Sequence, residues 1–67
     1  MKEGDRILIL PSEELAGMSL MELAFGAGTI VEICRNKMGI YGAWVEIDEE
    51  PYLDEKEWFI PIESIGL

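Results

Sequence analysis

The segment from Trp58 to Ile65, WFIPIESI, constrains the fold more than any other part of this chain. Its apolar extended run meets Pro61, which fixes its own φ and has no N–H to give a sheet ladder, so a strand stops there. Pro61 to Ser64 suits one helical turn, and Ile65-Gly66-Leu67 restarts as a short final strand. The other apolar runs are equally short and bounded by glycine or proline. That punctuation points to a small all-β barrel in which function resides on the surface.

At 67 residues the chain has room for a single domain, 1–67. A domain this small buries only about 60% of the surface its unfolded chain exposes, so most apolar positions are needed for the core. Fourteen acidic side chains against five basic ones give a formal net charge of −9, which repels phosphate backbones and anionic headgroups. Direct binding to nucleic acid or to a membrane is therefore disfavoured. No apolar run approaches the roughly 18 residues of a membrane span, and Met1 to Asp5 lacks the pattern of a signal peptide. The expected compartment is cytoplasmic. Cys34 is the only cysteine, which excludes an internal disulfide.

Along the chain, Arg6 to Leu10 reads as the first strand, ended by Pro11. Ser12 is an N-cap followed by Glu13 and Glu14 in a first helical turn, with Gly17 placed to terminate it. Ser19 to Glu22 reads as a capping box, with Gly26 closing the second turn. Helical turns this short have to be held down by packing, through Leu15, Leu20, Leu23 or Phe25, onto an open end of the barrel. Gly28 to Cys34 and Gly42 to Asp48 form a hairpin through the turn residues Asn36 to Gly39. Alternation sends Ala43, Val45 and Ile47 inward and Trp44, Glu46 and Asp48 outward. Glu49 to Lys56 is an acidic, proline-broken loop, and Glu57 to Ile60 is the fourth strand. Val45, Ile47, Ile60 and Ile65 are expected to be buried.

This arrangement resembles the Src-homology-3-like barrel. The similarity lies in Trp58 to Ile65, with Ile60 and Ile65 in core positions and Phe59 and Pro61 in groove positions. Trp44 stands near the start of the strand that carries the family's groove tryptophan, and Lys2 to Ile7 with Gly28 to Val31 look like strand starts of small bacterial barrels of this shape. The family's paired tyrosines are absent, and Ser64 replaces its last groove tyrosine. The resemblance implies a five-stranded barrel that binds peptide segments.

The candidate site is an aromatic-proline shelf of Trp44, Phe59 and Pro61. Beside it, Glu46 and Asp48, with Glu13 and Glu14, would pair with Arg or Lys of an extended or proline-containing segment. The competing reading is that these aromatics merely cover the barrel wall. Leu15, Met18, Leu20, Met21 and Phe25 are either an adaptable partner surface or packing for the barrel end. The carboxylates from Asp48 to Glu57 match no calcium-loop spacing and read as a solvated loop. Cys34 has no histidine to activate it, and there is no zinc set, phosphate loop or serine-histidine pair. No metal or cofactor is expected, and the chain reads as a non-catalytic protein-interaction module. Alternatives are an acidic nucleic-acid mimic that occupies the basic cleft of a DNA-handling protein, and a structural subunit or homodimer.

Overall fold

The computed structural model describes residues 1–67, and its five strands form one antiparallel sheet. They are β1 (Arg6–Ile9), β2 (Ala27–Arg35), β3 (Tyr41–Ile47), β4 (Glu57–Pro61) and β5 (Ile65–Gly66), in the order β4-β3-β2-β1-β5. The all-β class follows the sequence expectation, but the barrel is not closed, because no ladder joins β4 to β5. They are linked by a 3₁₀ turn over Ile62–Ser64 that starts at Pro61, as the sequence implies. No helix is long and apolar enough to cross a membrane.

Alternation builds the core. Ile7 and Ile9 of β1, Ile30 of β2, Ala43, Val45 and Ile47 of β3 and Ile60 of β4 are all buried on the inner face. Each buried aliphatic side chain contributes roughly 1.5–3 kcal/mol relative to solvent. Ile65 is only half-buried, against expectation, because β5 is a two-residue edge paired on one side only. In β2 the register slips between Ile30 and Glu32, leaving Val31 as a bulge. The extra residue lets Ile30 and Ile33 both face the core although three positions separate them.

The excursion after β1 packs as expected through Leu15, Leu20 and Leu23, whereas Met21 and Phe25 stay in solvent. Ser12 caps α1 (Glu13–Gly17), its Oγ accepting from the Leu15 N–H at 3.0 Å. The Ser12 hydroxyl also shares a 2.6 Å hydrogen bond with that of buried Ser64, latching the helix start to the last turn. The left-handed reversal that terminates the helix falls at Ser19 and not at Gly17. Ser19 takes the left-handed conformation, φ 61°, its N–H bonds Ala16 O at 3.0 Å, and the Leu20 N–H bonds Leu15 O at 3.1 Å. This is a Schellman stop, fixed by placing apolar Leu20 on apolar Leu15, and a stop at Gly17 would set Met18 against Glu13. A left-handed Ser19 cannot cap the next turn, so the expected capping box is absent and Leu20 precedes the 3₁₀ turn Met21–Leu23. Phe25, at φ 71°, and not Gly26, makes the second reversal.

The acidic loop is more ordered than its composition suggests. Tyr52 and Glu55 bridge through two backbone hydrogen bonds, of 2.9 and 3.0 Å, around Leu53 and Asp54, both at positive φ. Two non-glycine residues in that region cost about 1–2 kcal/mol each. The turn is anchored by the Tyr52 ring, tilted on Trp58 at 5.5 Å, and by the Trp58 indole N–H, which donates to Glu55 O at 3.0 Å.

Candidate functional site

Trp44 is the centre of the candidate site, and the register explains its setting. It stands opposite Phe59 on the outer face, and the two rings meet edge to face, with centroids 5.9 Å apart at 77°. Such pairs contribute about 0.5–1.5 kcal/mol beyond the area they bury. Trp44 keeps 39% of its surface exposed, whereas Phe59 keeps 5% and Pro61 is fully buried. The expected three-residue shelf is therefore corrected to one exposed tryptophan on a buried base. Phe59 lies under the indole, and Pro61 faces Gly42, which has no side chain and lets the two backbones close together.

A groove of about 750 Å³ runs along β4, the edge strand, from Trp44 to Trp58. Met18, Leu20 and Phe59 complete its apolar lining, and Glu55, Lys56 and Glu57 its polar rim. Met18 and Leu20 thus serve both readings of the excursion, since they pack on the core and also border the groove. Sequence reasoning missed Trp58 as a site residue because its parity sends it inward. Its position as the second residue of β4, directly after the acidic loop, was the available signal.

Of the expected carboxylates, only Glu46 stays beside Trp44 unengaged. It faces Glu57 directly across the β3–β4 ladder, while Glu32 faces Trp44 from β2, and all three are exposed. Asp48 is held by Arg6 through both guanidinium nitrogens, one at 2.6 Å, and Arg6 also donates to Thr29 Oγ1 at 2.9 Å. Hydrogen bonding to that guanidinium holds the Asp48 carboxyl below its ordinary range. Asp48 is therefore engaged in a strand tie with Arg6 and does not stand free beside Trp44. Lys56 Nζ donates to Glu49 O at 2.8 Å.

Glu13 and Glu14 do not border the groove either. Half-buried Glu14 sits by Glu63, and desolvation first, then hydrogen bonding and like charge with Glu63, raise its carboxyl above the ordinary glutamate range. A raised folded-state value means stability present below the ordinary range and lost as pH rises through the raised value. Asp48 acts oppositely, its contribution lost only as pH falls through its depressed value. Melting temperature should therefore rise on mild acidification and fall in stronger acid, and Glu14→Gln should raise it at neutral pH while flattening the mild-acid gain. Thermal scans across pH check this, and an undiminished gain in Glu14→Gln would refute the assignment to Glu14.

Chemically the site offers apolar area, one exposed indole and unpaired carboxylates. Cys34 is half-buried on β2, and no three histidine, cysteine, aspartate or glutamate side chains converge. A scan against protein-family models and searches of curated proteins and of solved structures find no match to this chain.

Proposed function

We propose that this protein is a non-catalytic interaction module that binds a basic, extended or proline-containing protein segment in the groove between Trp44 and Trp58. The observation that carries this reading is the pair Glu46 and Glu57, two carboxylates placed directly opposite one another beside Trp44. Like charges in that position destabilise a sheet, by up to about 1 kcal/mol, and a small domain has little stability to spare. A local rule broken without internal compensation marks a place where a partner supplies the compensation. A lysine or arginine of the bound segment does so here, with its apolar neighbours against the indole. The strand order and the Pro61 turn support kinship with Src-homology-3-like barrels, with contact moved to the β4 edge because Phe59 and Pro61 are buried.

A synthetic array of short peptides of graded charge tests the reading. Basic segments containing proline or aromatic residues should be retained and acidic ones rejected. Glu57→Lys should raise the melting temperature by a few degrees, about 0.2–1 kcal/mol of relieved repulsion and new pairing, while weakening retention of the basic segments. Selection of peptides irrespective of charge, or retention unchanged in Glu57→Lys, would sink the proposal.

A further inference from the structure

Trp44 and Phe59 border a second groove on the side away from Glu55 and Glu57. It measures about 590 Å³ and is lined otherwise by Arg35, Asn36, Lys37 and Met38. This lining holds two cations and no carboxylate, in a chain where acidic side chains outnumber basic ones fourteen to five.

The hairpin turn between β2 and β3, which carries these cations, is fixed by its own hydrogen bonds. Asn36 Oδ1 accepts from the N–H groups of Met38 and Ile40, at 2.9 and 3.0 Å, and Gly39 closes the turn at φ 82°. Arg35 Nη1 donates to Gly39 O at 2.9 Å, and its guanidinium lies 5.7 Å from the centre of the Tyr41 ring. Both partners are neutral, so the charge of Arg35 is left uncompensated. Lys37 is exposed on the turn and belongs to no ion pair, the one ion pair of the molecule being Arg6 with Asp48. A turn ordered in advance reduces the entropy lost on binding.

We propose that the bound segment is charge-polarised. Its basic part lies in the β4 groove, an apolar or proline residue crosses Trp44, and an acidic residue reaches Lys37 and Arg35 on the far side. This rests on the peptide-binding reading above and adds the order of charges that the ligand has to carry. A wholly basic segment meets like charge once it passes Trp44, and a wholly acidic one meets Glu46 and Glu57 before it. Opposed fields on the two sides of one anchor set the register of a ligand and reject wrong partners more than they add affinity.

Peptides of equal length built around the same apolar-proline centre test this by calorimetric titration. One set carries a basic flank and an acidic flank in each chain order, and a control carries the basic flank with uncharged amides in place of the acid. One order of the polarised peptide should bind roughly five- to tenfold tighter than the control. Lys37→Glu, at an exposed position that makes no bond in the fold, should abolish that advantage and leave the control bound at least as well. Equal binding of polarised and control peptides, or a polarised peptide indifferent to Lys37→Glu, overturns the polarity proposal and leaves the peptide-binding reading standing. Binding of none of the peptides overturns both.

Discussion

Gly42→Ala should lower the melting temperature by roughly 4–24 °C, because the added methyl has no space and nothing nearby can rotate away. A Cβ at this position falls on the carbonyl oxygen of Ile60 and within 2.9 Å of Pro61 Cα, so both obstacles are backbone. Relief requires β3 and β4 to separate at the Gly42–Pro61 and Ala43–Ile60 pairs, which disturbs two fully buried residues, Ala43 and Ile60. Overpacking of this kind costs typically 1–3 kcal/mol and occasionally more, against a total of about 5 kcal/mol for a domain of this size. Each kcal/mol moves the midpoint by roughly 4–8 °C. Gly17→Ala is the control, since nothing lies within 4 Å of its added methyl and its φ is not positive. It should leave the midpoint unchanged or raise it slightly. A Gly42→Ala protein melting within a few degrees of the parent would show that the two strands are not closed together here.

Trp44→Ala should weaken binding of a basic segment by about 30-fold or more, the loss expected when a central aromatic anchor is removed. The same substitution uncovers Phe59 and removes the edge-to-face pair, so a stability loss of about 1–2 kcal/mol accompanies it. The two effects are separable. Circular dichroism and thermal melting report the fold, and titration at a temperature where the variant is folded reports the contact. Trp44→Phe should recover most of the stability and only part of the affinity. A folded Trp44→Ala protein with unchanged affinity would show that the indole only covers the sheet.

The strands were legible in the sequence because their signals are local. Pro11 and Pro61 punctuate them, and alternation from Ala43 to Ile47 assigns each side chain to a face without knowledge of the rest of the chain. Ser12 was legible as a cap for the same reason. The stop of α1 was not, since it depends on Leu20 meeting Leu15, and glycine alone is a weaker cue than that apolar contact. The burial of Phe59 was not legible either. Parity places Phe59 outward, and only the register of β3 against β4 shows that Trp44 lies over it. Of the residues the sequence grouped together, Trp44 and Glu46 stay exposed side by side on one face, whereas Phe59 and Pro61 are buried. Glu57, Trp58 and the Arg35–Lys37 turn enter through pairings between residues well separated in the chain, and Asp48 leaves through its bond to Arg6, far away in sequence.

The bulge at Val31 divides the molecule into two frames of alternation. On one side of it Ile30 is phased to the core opposite Val45, and on the other Ile33 is phased to the core opposite Ala43. A regular ladder through the same residues would set Glu32 opposite Ala43, inside the core, and turn Ile33 out. The bulge thus absorbs the odd residue, and a lineage of such domains can lose one residue at this locus with both halves of the interior still in phase.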